Sequence, residues 1–307
     1  YIFSDNLRRD ASNINGYLLD APSVVVGRTT KHISGLPKML FGSMPRDGGS
    51  LILTEEEMEA SSINTPEFSK YLHKLIGADE FLNGKRRYCI WIEDKDLEHA
   101  KTNKEISDRL NAVADSRLSS KAPSTQAYAN RPNQFVQRSY EYAPFIFIPR
   151  DSSGRRQYIP IGFGEAGDVT VAPNFSVYNA ELWLFSILHS RIHMRWIDTV
   201  SGKLKNDYRY SSDLAYNNFP IPTLTVVEKD LLNQSARRIL LTRAAHPEKT
   251  LADMYDPNKM PIDLREAHND NDRLVDSLYK KTGFTNDEDR QVALFDLYGQ
   301  MTTKGKI

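Results

Sequence analysis

Hydrophobic residues spaced at three and four positions predict helices in three parts of the chain. Ile106, Leu110, Val113 and Arg117 mark one helix. Leu182, Phe185, Leu188, Ile192 and Trp196 form the seam of a second, apolar on most sides, predicted over 180–200 and closed by Gly202. Beyond Pro220-Ile221-Pro222 come three more. Thr225 and Glu228 form a capping box for a helix carrying Leu232, Ala236, Ile239 and Leu240. Leu264, Ala267, Leu274 and Leu278 mark a helix that closes at Gly283, and Thr285 with Glu288 caps a last one through Val292, Phe295 and Tyr298.

The remaining apolar residues fall in short runs between Gly, Pro and Ser, which is the pattern of strands and turns. Residues 14–55 read this way, with Tyr17-Leu18-Leu19, Val24-Val25-Val26 and Leu51-Ile52-Leu53 as strand candidates and Pro45 to Gly49 as a turn. Thr54 and Glu57 cap a helix that Pro66 keeps short. A buried strand is predicted over 86–93, a polar connector over 119–133, and further strands over 144–149, 158–161 and 169–172, with 150–157 as a loop. The expected architecture is a mixed α/β (α+β) domain over 1–222 and a small all-α helical domain over 223–307.

Composition adds limits. Hydrophobic residues make up 40% and charged residues 26%, ordinary for a folded chain. No window has the roughly 18 apolar residues of a membrane span, and YIFSDNLRRD lacks a signal-peptide layout, so a cytoplasmic, membrane-free protein is expected. The single cysteine, Cys89, lies in an apolar run and reads as a buried strand thiol. Forty acidic and forty basic residues cancel, so any site for a polyanion must be local. Two stretches qualify: Arg150 with Arg155 and Arg156, and Lys203, Lys205 and Arg209 around Asp207.

Motifs for chemistry are incomplete. Gly162-Phe163-Gly164-Glu165-Ala166-Gly167 has dinucleotide-site spacing, but Asp168-Val169-Thr170-Val171 and Pro173 replace the helix that would face a pyrophosphate, so a glycine-rich hairpin turn is the reading. His189 and His193 lie four apart without the adjacent Glu or the third ligand of a zinc site, and read as core or interface histidines. Glu93 and Lys95, with Asp79 upstream, leave open a metal-dependent nuclease of PD-(D/E)xK type. A DNA amino-methyltransferase needs a Pro-Pro-aromatic loop, and no Pro-Pro pair occurs in these 307 residues. No catalytic residue and no metal site is therefore assigned, and no complete methyltransferase is expected. Recognition without chemistry, a nuclease, or a purely structural interaction module remain.

Several long segments in order carry a resemblance: Asn13-Ile14-Asn15-Gly16-Tyr17-Leu18-Leu19-Asp20-Ala21-Pro22, Phe41 to Gly49, Gly77 to Phe81, Arg87 to Trp91, Ser190 to Met194, Asp207-Tyr208-Arg209-Tyr210-Ser211, Tyr216 to Pro220, and Thr250 to Pro257. Over nearly its whole length the chain resembles the C-terminal part of MmeI-like (type IIL) bacterial restriction-modification enzymes. It departs from that pattern at Gly16, where Pro is frequent, and at Ile221, where Trp is frequent. The resemblance implies a target-recognition domain plus a C-terminal helical domain, with double-stranded DNA and the parent's own methyltransferase and nuclease domains as partners. It also implies adenine-N6 methylation elsewhere in the parent, where S-adenosylmethionine and Mg2+ would act; no cofactor is expected in this chain. It further demotes Glu93 and Lys95, because the family's nuclease motif lies N-terminal to the matched part.

The resemblance places base-reading residues two apart just before the Tyr-Arg-Tyr-Ser stretch, here Lys205 and Asp207. Lysine can donate to guanine O6 and N7 and aspartate can accept from cytosine N4, so the two together suit one G·C base pair. An acid repels phosphate, so Asp207 either reads a base or forms a salt bridge with Arg209 or Lys203. Lys203, Arg209 and Arg156 are expected phosphate anchors. Arg150, Arg155, Ala172 and Asn174 form a second expected reading surface, with Asn suited to adenine and Arg to guanine.

Overall fold

A computed structural model describes residues 2–4 and 7–303. The chain divides into two compact units: one of residues 1–39, 148–162 and 180–307, the other of 40–147 and 163–179. The chain thus enters and leaves the second unit twice. Residues on both sides of position 222 belong to the first.

The second unit contains two four-stranded sheets. One orders Val169–Thr170, Leu72–Ile76, Arg87–Ile90 and Ile52–Thr54. Its pairs are antiparallel except for the parallel Val169↔Leu75 register. The other orders Met39–Phe41, Phe175–Tyr178, Phe145–Ile148 and Gly162–Gly164, whose end residues Met39, Ile148 and Gly162 fall in the first unit. The helix Lys104–Leu118 buries Ile106, Leu110, Val113 and Arg117, the predicted stripe, and the first three join Cys89, Ile90, Leu51 and Leu53 in one core. The Thr54 capping box is present, with Glu57 closing it. Cys89 is buried, and burial pushes its thiol well above the ordinary range, so it is not a nucleophile at neutral pH.

Arg117 is the polar exception in this core. It is 1% exposed, and its guanidinium donates five hydrogen bonds at 2.6–3.0 Å, to the carbonyls of Arg46, Tyr128, Arg131, Pro45 and Gln134. All five N–H groups of the planar fork are used, so one side chain holds the 45–46 turn and the 128–134 segment to the helix.

The first unit is mainly helical. Val226–Ala244 packs against Leu182–Leu188 and Ile262–Tyr279, while Asp287–Thr303 packs on Arg191–Val200. Trp196, fully buried, centres this packing; its ring lies 5.5 Å from Phe295 and 5.7 Å from Tyr298, and its Nε1 donates to the Ala215 carbonyl at 2.9 Å. The Thr225 capping box is as expected.

Several expectations are corrected. The helix predicted over 180–200 is two helices, Leu182–Leu188 and Arg191–Val200, because Ser190 turns extended, accepts the His193 N–H and starts a new helix. The last helix is capped by Asn286, whose Oδ1 accepts the Asp289 N–H at 2.8 Å, while Thr285 bonds the Asp289 side chain instead. Residues 14–38 form loops with a single bridge, Ile14↔Asp20, and not strands. The strand expected at 158–161 lies at Gly162–Gly164. Leu72–Ile76 and Phe175–Tyr178 are strands that the periodicity did not mark. The glycine-rich turn through Gly167, at φ 102°, joins strands of two different sheets and is not a hairpin.

Asp272, 6% exposed, accepts the Tyr158 hydroxyl at 2.6 Å and the Arg191 N–H at 2.7 Å. Burial raises its carboxyl to about 6, against the lowering effect of those hydrogen bonds. An unfolded aspartate titrates near 3.9, so the folded state holds the proton more tightly. That contribution is fully present below pH ~4 and is lost as pH rises through about 6. Asp272→Asn is expected to remove up to about 2–3 kcal/mol of this dependence between pH 4 and 7. Urea unfolding across that range measures it, and an unchanged slope would count against the assignment.

Candidate nucleic-acid interface

The two basic stretches meet on one small sheet. Gly202–Leu204 and Asp207–Arg209 form an antiparallel hairpin with Leu204↔Asp207 as its last pair, and Asp207–Arg209 pairs with Asp151–Ser152 through Tyr208↔Ser152 and Arg209↔Asp151. The Arg150 carbonyl accepts the Tyr210 N–H at 2.7 Å and extends the ladder. Residues 150–157 were expected to be loop throughout, but Asp151–Ser152 is a strand because the hairpin supplies its partner. The hairpin follows the helix Arg191–Val200 directly, so a buried element sets its base.

Strand alternation sorts the side chains. Tyr208 is buried while Asp207 and Arg209 are exposed, so the latter two share the outer face with Leu204 and Asp151. Lys203, paired across from Tyr208, takes the other face. There its Nζ lies 5.9 Å from the Tyr208 ring and 2.7 Å from Asp198. The expected anchors Lys203 and Arg209 therefore point to opposite sides of the sheet. Lys205 and Asn206 make the two-residue turn, and Lys205 adopts φ 57°, which presents its exposed side chain at the tip.

Neither salt-bridge partner expected for Asp207 engages it. Lys203 goes to Asp198, and Arg209 lies 3.9 Å from Asp151, which Arg150 also contacts at 3.2 Å. Asp207 Oδ1 instead accepts the Gly154 N–H at 3.0 Å. Gly154 sits in a turn closed by the Arg156 N–H on the Ser153 carbonyl, which leaves Arg155 exposed and Arg156 half-buried. Burial pulls the Arg156 guanidinium below its usual range, opposed by nearby Asp256 and Asp207, and it remains a cation at neutral pH. Asp151, Asp198 and Gly154 were not singled out from sequence. Their role is to hold cationic neighbours or a turn, and only the pairing of distant strands reveals it.

Ala172 and Asn174 belong to the other compact unit. Asn174 is 3% exposed; its amide donates to the Val171 carbonyl at 2.9 Å and its own carbonyl accepts the Gly42 N–H. Asn174 is thus buried, with one amide hydrogen held within its own turn. Ala172 is half-buried, and its N–H donates to the Ser43 carbonyl at 2.9 Å.

The other chemical candidates also resolve into structure. Glu93 accepts from Trp91 Nε1 at 2.9 Å and from Arg138 at 2.8 Å, and Asp94 is held by Asn133 and Gln134. Asp79 pairs with Lys85 at 2.7 Å. Among the described residues, no group of three or more His, Cys, Asp or Glu is placed to hold a metal ion, and nothing favours the nuclease reading. His189 and His193 are both 1% exposed core residues: His189 faces Arg243, and His193 Nε2 lies 3.0 Å from the Tyr210 hydroxyl. Burial holds both imidazoles below their ordinary range and so neutral. No helix among the described residues is long and apolar enough to cross a membrane.

Comparison with known proteins agrees with this architecture. The family model described as "MmeI, target recognition domain" matches residues 20–223, and that for "MmeI, C-terminal domain" matches 226–304. DNA methyltransferase A of Bacillus subtilis (strain 168) is 38% identical over 304 residues, which is 99% of this chain and 34% of that protein. The solved structure of the type IIL restriction-modification enzyme MmeI in complex with DNA superposes with a TM-score of 0.88 at 34% identity, covering 95% of this chain and 39% of the other. The chain thus spans about a third of the length of these relatives. With two thirds of its residues matched by the first family and most of the remainder by the second, the chain belongs to the MmeI target-recognition-domain family and carries the MmeI C-terminal domain behind it.

Proposed function

We propose that this chain reads the sequence of double-stranded DNA on behalf of adenine-methylating domains that lie outside these 307 residues. The observation that carries the reading is the convergence of two cationic segments, 150–156 and 203–209, on one exposed three-stranded sheet in a chain of zero net charge. A neutral protein with a local basic surface binds a polyanion at that surface. The solved MmeI relative in complex with DNA supports the same choice of partner.

Within this reading Arg209 and Arg156 hold phosphates on the sheet, and Lys203 does so from its opposite face, where Asp198 competes for it. Such contacts fix register without reading sequence. Lys205 at the turn tip and the exposed Arg155 are free to reach base edges, with Arg150 behind them and Asp207 beside them. Ala172 marks a second reading surface in the other unit. S-adenosylmethionine and Mg2+ serve the catalytic domains of the parent, and no residue of this chain is assigned to either. The protein works in the cytoplasm, where its DNA is.

The test is the pair Lys205→Glu with Asp207→Arg in the full-length protein of the same gene, with the modified motif read by methylation-sensitive sequencing. The expected result is a changed modified motif, with about 1–3 kcal/mol of discrimination altered at the base pair these residues face. An unchanged motif would sink the assignment of these residues as readers.

A further inference from the structure

We infer that Gly154 is a specificity-positioning residue, which locks the turn carrying Arg155 and Arg156 onto the turn carrying Lys205 and Asp207 so that both segments present to DNA as one body. The inference rests on the DNA-reading function proposed above and adds a residue that touches no base.

Two independent contacts support it. The first is the hydrogen bond from the Gly154 N–H to Asp207 Oδ1 at 3.0 Å. A carboxylate accepting from a backbone amide is a charge-assisted bond, stronger than a neutral one. It turns Asp207 from a freely swinging acid into a fixed one, with Oδ1 spent on the neighbouring turn. The second contact is steric. Gly154 is not among the glycines at positive φ, so backbone conformation does not demand glycine there. Close approach does: a Cβ at this position would stand 1.9 Å from the Asn206 carbonyl oxygen and 2.9 Å from its carbon. Both are backbone atoms of the hairpin turn and cannot rotate away. Restoring ordinary van der Waals separation requires the two turns to part by about 1–1.5 Å.

The geometry around these contacts leaves little slack. Ser152 and Asp151 are paired to Tyr208 and Arg209 in register, so the strand leading into Gly154 is already fixed to the hairpin. The Ser153 carbonyl accepts the Arg156 N–H at 3.1 Å, so the turn is closed on itself. A parting at Gly154 therefore transmits to Arg155 and Arg156 on one side and to Lys205 and Asp207 on the other. Base readout needs donors placed to within a few tenths of an ångström, while phosphate contacts tolerate more. The coupling consequently controls discrimination more than overall affinity.

The experiment compares Gly154→Ala, Asp207→Asn, Asp207→Ala and the Lys205→Glu/Asp207→Arg pair in the full-length protein. Methylation of every singly mismatched site, relative to the preferred one, is read by methylation-sensitive sequencing, and melting temperature is measured alongside. Gly154→Ala is expected to lose tenfold or more of discrimination at two or more base pairs. Asp207→Asn, which keeps an acceptor for the Gly154 N–H, is expected to alter one base pair only. Asp207→Ala, which removes the acceptor, is expected to spread its effect as Gly154→Ala does. Discrimination within twofold of the parent at every position in Gly154→Ala overturns the coupling. If Gly154→Ala does not fold, the aspartate variants decide: an Asp207→Ala effect confined to the single base pair altered by Asp207→Asn overturns it, and a wider one upholds it. An unchanged motif in the double substitution overturns the reading function itself, and the coupling with it. A changed motif in the double substitution beside an unaffected Gly154→Ala removes the coupling alone.

Discussion

Replacing Arg117 by leucine is expected to cost about 3–5 kcal/mol and to lower the melting temperature by roughly 10 °C. Leucine fills part of the volume but satisfies none of the five carbonyls that the guanidinium now holds. Each buried acceptor left without a donor costs about 1–3 kcal/mol, reduced where the chain can relax toward water. The 45–46 turn and the 128–134 segment are the parts that would relax, because Arg117 is what joins them to the helix Lys104–Leu118. Lysine is no substitute, since it has three donors at a point where the site asks for a planar fork. Hydrogen exchange resolves the effect: protection should fall first at 128–134, and unchanged protection there with an unchanged melting temperature would refute the account.

The second large effect is expected at Arg243, a buried cation whose partners are all neutral. It donates to the Tyr255 hydroxyl at 2.8 Å, the Ile161 carbonyl at 2.8 Å and His189 Nδ1 at 3.0 Å, and stands over the Tyr255 ring at 4.8 Å. Burial and this positive charge push His189 and His268 well below their ordinary range, so both imidazoles are neutral, His189 as an acceptor. Arg243→Leu is expected to lose about 2–4 kcal/mol, because three polar atoms are left buried without their donor. It has a functional consequence too. Ile161 lies at the end of the segment that carries Arg150, Arg155 and Arg156, so the bond from Arg243 anchors that segment to the helix Val226–Ala244. DNA affinity should therefore weaken along with stability, at low salt as well as high. Denaturant unfolding and binding titrations check this, and full stability in Arg243→Leu would refute it.

Much of the helical structure was readable from the chain. The stripes Ile106, Leu110, Val113 and Leu232, Ala236, Ile239 are the buried faces of their helices. Thr54 with Glu57 and Thr225 with Glu228 cap as their spacing requires. These are local signals: a 3.6-residue period and a cap three residues away involve only neighbours in sequence. The break at Ser190 was missed, because the apolar seam runs through it and hides a single N-capping side chain. The family, too, was legible, in long ordered segments from Asn13 to Pro257.

Sequence by itself determined the long amphipathic helices Lys104–Leu118 and Val226–Ala244, the family and the two cationic stretches. The tertiary structure decided what those stretches form together. Arg150–Arg156 and Lys203–Arg209 lie about fifty residues apart, and only the register Arg209↔Asp151 places them on one sheet. The same register sends Lys203 to the face opposite Arg209, gives Asp207 to the Gly154 amide instead of to a lysine or arginine, and makes glycine obligatory at 154 by close approach. Asn174, whose residue type suits adenine, is buried with its amide bonded inside its own turn. Strand pairing, the face a side chain takes and the desolvation of an amide all depend on residues distant in sequence, and so have no local signature.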